Sequence, residues 1–189
     1  MTARETFPGP GVQSDAIPQT SFRVREALGK EFDAVGRLTF EGFEHNLPGV
    51  APPVRDRLVL ITQADARARD GILLVAENEA TGELVGTASL LPFGSALARQ
   101  AEPGEMELRL LAVLPHARRG GIGLMLLEEA ARLATTAGMR RLVLDTAVDN
   151  EKSQALYRRF GFHRRPEREK PRPAPKVPLA VFTLELSNN

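Results

Sequence analysis

Arg118-Arg119-Gly120-Gly121-Ile122-Gly123 is the stretch whose residue types and order carry the most chemistry. It directly follows the apolar run Leu108 to Leu114 and directly precedes an amphipathic segment reaching about Gly138. A strand, a glycine-rich turn and a helix start in that order leave several backbone N–H groups without intrahelical partners. The positive end of the helix dipole lies behind them. Such an arrangement binds phosphate or another anion with little help from side chains. Glycines at 120, 121 and 123 let a ligand approach the backbone, and Arg118 and Arg119 can add charge-assisted bonds. Two nucleotide loops fail the comparison. Gly123 is followed by Leu124 and Met125, not by the Lys-Ser/Thr of a triphosphatase loop, and Leu126 stands where a dinucleotide fingerprint needs its third glycine. A plain turn that binds nothing is the competing reading.

The elements around this loop follow from periodicity. Ser21 to Leu28 alternates as a strand, and Lys30 to His45 spaces Phe32, Val35, Thr39, Phe40 and Phe43 as a helix. Pro52-Pro53 precedes a second helix expected over 54–69. Ile72 to Glu77 and Leu84 to Leu91 read as a hairpin, 93–104 as a loop, and Glu105 to Leu114 as the next strand. Ile122 to Ala137 carries an apolar stripe of Ile122, Leu126, Ala130, Leu133 and Ala137 that would pack on a sheet. Leu142 to Ala147 is a buried strand, Asn150 to Phe160 a short helix stopped at Gly161, and Leu179 to Leu186 the last strand. These add up to an α/β fold: a mixed, mostly antiparallel central sheet with helices on both faces.

Composition narrows the function. The chain has 189 residues, room for one domain over 21–189 behind an expected flexible arm over 1–20. A net charge of +1 gives no reason to expect nucleic acid or a membrane surface as partner. With no cysteine there is no disulfide, thiolate zinc site or cysteine nucleophile, and the separated His45, His116 and His163 give no metal-ligand spacing. No apolar run is long enough to cross a bilayer, and residues 1–20 lack a secretory signal's apolar centre, so a cytoplasmic location is expected.

Arg118-x-x-Gly121-x-Gly123, preceded by Leu111-Ala112-Val113-Leu114-Pro115, resembles the acyl-CoA pyrophosphate loop of the GNAT superfamily of N-acyltransferases. Asn150 followed by Ala155-Leu156-Tyr157 and Gly161-Phe162 resembles that family's second signature. The likeness spans roughly Glu105 to Phe162, and two motifs in order are far more specific than one glycine loop. It implies that strands 105–114 and 142–147 run parallel but splay apart, with the pantetheine arm of acetyl-CoA in the gap. The N–H groups of Arg119, Gly120, Gly121, Ile122, Gly123 and Leu124 would cradle the pyrophosphate. Backbone near Leu111, Ala112 and Val113 would pair with the arm, and an N–H there could steady an oxyanion. Arg118 is assigned to the phosphates and Arg119 less firmly, while Asn150 and Ser153 are expected beside the arm. Asn150 can also cap its helix.

The same resemblance implies acetyl transfer from acetyl-CoA, a co-substrate, to a primary amine by direct attack in a ternary complex. No metal is called for. Tyr157, the only tyrosine, would lie half-buried at the edge of its helix, with Leu156 and Phe160 on the core face, and protonate the leaving thiolate. Glu107 is the candidate base, with Glu105 on the same strand face or a water as alternatives. A non-catalytic acyl-CoA-binding or sensing module is the alternative function, and an interaction domain without cofactor a third. The acceptor, a small-molecule or peptide amine, would meet Phe40, Phe43, Glu44, His45 and Asn46. The segment His163–Pro178, with six basic residues, two acidic and five prolines, reads as a solvated loop or as a basic flap for an anionic acceptor. Nothing in the sequence opposes a homodimer.

Overall fold

The computed structural model describes residues 21–172 and 176–187; the expected arm and positions 173–175 of the basic segment lie outside them. Along the chain come β1 (Phe22–Glu26), α1 (Phe32–Gly42), α2 (Arg55–Thr62), α3 (Ala64–Asp70), β2 (Ile72–Asn78) and β3 (Leu84–Pro92). They are followed by β4 (Glu105–Val113), α4 (Ile122–Thr136), β5 (Arg141–Ala147), α5 (Glu151–Phe160), β6 (His163–Arg164) and β7 (Leu179–Glu185). The single helix expected over 54–69 is two. The chain turns at Gln63 (φ −85°, ψ 73°), outside the helical region, so α2 ends and α3 starts on a new axis. The two-residue β6 has no periodicity to betray it in the sequence.

Seven strands form one sheet in the order β1-β2-β3-β4-β5-β7-β6, with β4 and β5 its parallel neighbours and the other pairs antiparallel. Period-two alternation divides β2 between the faces. Leu74 and Ala76 join the core beneath α4, and Leu73 and Val75 meet Val35 of α1 and Ala64 of α3. Both faces are covered, which is why the strand reads as an unbroken apolar run. On α4 the buried face is Ile122, Leu126, Leu127, Ala130 and Ala134; Ala137, counted with the stripe, is exposed at the helix end. No helix among the described residues is long and apolar enough to cross a membrane.

Two local features open the sheet. Pairing of β4 with β5 runs from Glu105↔Arg141 to Leu108↔Leu144 and stops, although the strands continue to Val113 and Ala147. One residue beyond Arg109, Leu110 has φ +54°, and the β3–β4 register slips between Thr87↔Ala112 and Ser89↔Arg109. That is a bulge, with an extra residue on β4, and a bulge bends its strand. The expected splay is therefore present as a fork between two half-sheets.

Helix α4 is seated against the sheet at Gly86 of β3. A Cβ there would lie 2.8 Å from Ile122 Cγ2 and 3.2 Å from Leu126 Cδ1. Gly86→Ala should lower unfolding free energy by about 1–3 kcal/mol through overpacking. Urea denaturation measures it, and an unchanged midpoint would mean that α4 does not rest on this strand.

Candidate functional site

The β4–α4 turn begins with a single 3-10 turn at Pro115–Ala117. Arg119 (φ 70°) and Gly121 (φ 79°) then take left-handed conformations. A Cβ at Gly121 would touch nothing within 4 Å, so conformation and not space demands glycine there. The amides of Arg119, Gly120, Gly121, Ile122 and Gly123 donate to no backbone carbonyl among the described residues, whereas Leu124 and Met125 return to Gly121 O at 2.9 and 3.1 Å. Alternating handedness of this kind gathers N–H groups into an anion-binding concavity. The side chain of Arg118 is engaged elsewhere. It donates from Nη1 to Glu44 Oε1 (2.9 Å), from Nη2 to Gly42 O (2.9 Å) and from Nε to Val113 O (3.3 Å). It thus braces the turn against the end of α1. Arg119 is exposed and has no side-chain bond among the described residues, so it is the guanidinium left uncommitted beside the concavity.

The concavity adjoins the fork. Past Leu108 the β5-facing edge of β4, including Leu111, Ala112 and Val113, has no strand beside it. Gly42 closes its far end, so near that a Cβ would come within 2.9 Å of Ala112 Cβ and 3.3 Å of Val113 N.

Helix α5 begins beyond the fork. Asn150 caps it, its Oδ1 accepting from Ser153 N at 3.2 Å, and Gly161 (φ 111°) ends it. Its buried residues are Gln154 and Tyr157, while Leu156 and Phe160, expected on the core face, are only partly buried. Tyr157 is 7% exposed, deeper than the half-buried position expected. Its ring packs 5.9 Å from Phe162, in the turn after α5, and 6.1 Å from Phe182, on β7. Burial pushes the phenol up to about 12; a hydrogen bond with the Ser153 side chain opposes this and nearby Asp145 adds to it. The hydroxyl therefore stays protonated at neutral pH.

Glu105 and Glu107 share a face of β4, as alternation requires, but neither is solvated: both are fully buried. Glu107 Oε2 accepts the amides of Arg99 and Gln100 (2.6 Å each) and Ala101 (3.3 Å), while its Oε1 has no hydrogen-bond partner and lies 3.5 Å from Arg109 Nε. Glu105 accepts Glu102 N (3.0 Å), Arg141 (2.8 Å) and Arg168 (3.0 and 3.1 Å). Arg168 also donates to Gln100 O. In the segment after α5, Arg164 pairs with Glu169, Arg165 bonds Thr183 and Arg168 is locked into the site, whereas Arg172 donates only to Val177 O.

Several groups were not singled out from sequence. Arg109 and Asp145 are the first residues of β4 and β5 beyond the last pair of the fork. Each is a charge interrupting an apolar strand, a signal that the sequence does contain. Arg99 pairs with Asp145, and Gln100 Nε2 donates to the same carboxylate at 2.9 Å. From α2, Arg57 lies 5.0 Å above the Phe43 ring; nothing in its local sequence marks it. His45 sits between Phe40 (5.5 Å) and Phe43 (6.1 Å) with both ring nitrogens buried and unpartnered. Burial, and then Arg57, hold it below the ordinary histidine value, so it is neutral at pH 7.

Residues 37–162 match the model of the acetyltransferase (GNAT) family. An IAA acetyltransferase of Azospirillum brasilense is 42% identical over 67 residues, covering 35% of this chain and 44% of that protein. The chain spans 36–59% of the length of the four curated relatives it matches. A ribosomal-protein-alanine N-acetyltransferase from Brucella melitensis superposes with a TM-score of 0.63 at 26% identity, over 87% of this chain and 99% of that one. The structure of yncA from Salmonella typhimurium with its cofactor acetyl-CoA has the same fold, with a TM-score of 0.63 at 19% identity over 89% and 95% of the two chains. This chain therefore belongs to the GNAT family of acetyltransferases.

Proposed function

We propose that the protein transfers the acetyl group of acetyl-CoA to a primary amine by direct attack within a ternary complex. The observation that carries this reading is the run of five unpartnered amides, Arg119 to Gly123, opening onto a parallel strand pair that has come apart. The residues suit the group: the amides match a diphosphate, Arg119 is free to meet phosphate, and the bare edge of Leu111–Val113 suits an extended, amide-bearing arm. Acetyl-CoA, when bound, supplies the activated acyl carbon.

The chain's own groups then handle protons. An amine of ordinary pKa is an ammonium at pH 7 and must lose a proton before attack. Glu107 Oε1, buried and without a hydrogen-bond partner, is the group we assign to take it, while Oε2 stays committed to the loop amides. The amine nitrogen forms the C–N bond, the C–S bond breaks with its electron pair on sulfur, Tyr157 delivers a proton to the thiolate, and the nitrogen gives up its second proton to solvent. Both residues return to their starting states by exchange with solvent. No cysteine exists to carry the acyl group, which favours direct attack over an acyl-enzyme. Buried donors and acceptors lose little to solvent, so they serve catalysis without reorganising.

Calorimetry with acetyl-CoA, followed by thiol release with an amine panel, tests the reading; ping-pong kinetics or binding without thiol release from any amine overturns it. Gly121→Val forces a β-branched residue into a left-handed conformation and should weaken acetyl-CoA binding at least about tenfold. Tyr157→Phe should lower kcat about a hundredfold or more and leave acetyl-CoA affinity unchanged; unchanged kcat removes the acid. Wild-type kcat should not fall with the ionisation of this phenol below about pH 11, since its value is pushed up to about 12. Glu107→Gln should lower kcat far more than it changes the KM for acetyl-CoA. Amide exchange at Arg99, Gln100 and Ala101 separates a lost base from a loosened loop: rapid exchange there in the variant, with kcat intact, would make Glu107 a structural anchor only.

A further inference from the structure

The fork closes at Leu108↔Leu144, so a group following the bare edge of β4 toward that pair must leave the sheet to go further. One way out is filled. Met106, Leu108, Leu142 and Leu144 belong to the buried core beneath α4, together with Leu126 and Leu127. Alternation sends Glu107, Arg109 and Asp145 to the opposite face. There the loop over 93–104 reaches from one strand to the other. Glu107 of β4 accepts its amides at Arg99, Gln100 and Ala101, and two of its side chains meet Asp145 of β5. Arg99 donates to Asp145 from Nε at 2.8 Å and also from Nη2, and Gln100 donates from Nε2 at 2.9 Å. Arg99 thus bars the fork directly beyond its last pair.

That bar divides two spaces. Arg99 and Arg109 also line a cavity of 250 Å³, whose other walls include Val59 and Leu60 of α2 and Leu97 of the loop. Arg109 is tied to the same loop through Leu97 O. The cavity has room for a short acyl chain. Arg99 touches both this cavity and Asp145 at the closed end of the fork, so its side chain stands between them. Pushing it aside would strip the counter-ion from Asp145, whose side chain is only 6% exposed, and leave Gln100 alone on the carboxylate. Unpairing a buried charge costs more than one or two methylenes gain by leaving water.

We propose that Arg99 sets the length of the acyl group: its bridge to Asp145 closes the fork behind an acetyl group and excludes chains of butyryl length and beyond. This rests on the acetyl-transfer reading above. With the diphosphate at Arg119–Gly123, the arm runs back along β4 and brings the thioester to the closed end of the fork. Arg99 is a specificity residue here: it meets the far end of the acyl chain and takes no part in the proton transfers.

The test measures thiol release from acetyl-, propionyl-, butyryl- and hexanoyl-CoA, with the amine that performs best with acetyl-CoA. From acetyl- to butyryl-CoA the wild type should lose at least about tenfold in kcat/KM, as expected when a buried ion pair must break. Arg99→Ala joins the fork to the cavity and should raise the butyryl-to-acetyl ratio about tenfold or more. Arg99→Lys, which keeps a cation against Asp145, should hold the ratio near the wild-type value. A residue that merely ties the loop down would, when replaced, lower all four donors together and leave their ratios unchanged; that result overturns the assignment. Butyryl- or hexanoyl-CoA used by the wild type as well as acetyl-CoA overturns it too. Calorimetric titration of the four acyl-CoAs, with no amine present, reads the closure without turnover. Affinity that falls with chain length in the wild type but not in Arg99→Ala, with no thiol release, retains the closure and discards acetyl transfer; thiol release from all four donors at similar rates does the reverse.

Discussion

A strand edge cannot be both paired and available, and the loss of β4–β5 pairing after Leu108 and Leu144 is the constraint on which the rest of the molecule turns. Backbone N–H and C=O groups beyond that point need partners, and in a nearly buried strand only water or a ligand can supply them. The bulge at Leu110 makes the separation permanent. A left-handed leucine costs on the order of 1 kcal/mol, and it persists because β3 holds one edge of the strand and the core holds Leu110 itself, 8% exposed. The opening is therefore built into the covalent register and does not await a ligand. Directly beyond it lies the turn whose left-handed Arg119 and Gly121 leave five amides bare. One end of β4 thus offers an extended edge and the next residues offer an anion site, in line.

Opening a sheet divides it, and the two halves carry different parts of the chemistry. Glu107, Arg109 and the amide concavity belong to the β1–β4 half, while Asp145 and Tyr157 belong with β5, β7 and β6. The distance between acid and base is then only as definite as the ties across the fork. These ties are polar. Arg99 and Gln100 cross to Asp145, and Arg141 and Arg168 cross to Glu105, whose strand neighbour Glu107 holds the same loop by its amides. Desolvation offsets much of the attraction in such buried pairs, so their contribution is to geometry more than to stability. The loop over 93–104 works as a clasp, and the two glutamates beneath it are its anchorage.

Much of this was legible in the residues. The strand and helix order, the glycine loop, the cap at Asn150 and the stop at Gly161 all rest on local rules, and local rules act in the folded chain as in any peptide. What was not legible depends on residues far apart in sequence. Tyr157 was placed at the edge of α5 by its own helix, but the rings of Phe162 and Phe182, one from the following turn and one from β7, bury it. Glu105 and Glu107 read as ordinary strand-end carboxylates, because the loop amides and arginines that enclose them come from 99–102, 141 and 168. The break at Gln63 has no mark in the sequence, where neither proline nor glycine separates α2 from α3. Composition alone makes the basic segment after α5 a candidate anion site, whereas Arg164, Arg165 and Arg168 are spent on groups of the protein.

Positive charge near the fork acts on an arriving amine. Arg67, fully buried and bonded only to Thr39, Ser89 and Ile61 O, adds one more cation without a carboxylate to the α1–α3 layer. Burial lowers it to about 10, so it too is charged at neutral pH. A layer built this way attracts an oxyanion and resists an isolated ammonium. Near like charge an ammonium yields its proton more readily, which lowers the demand on the base. An amine that reaches Arg109 therefore finds its deprotonated form favoured, with the free oxygen of Glu107 there to receive the proton. Activation of the amine then follows from the electrostatic arrangement that holds the base in place.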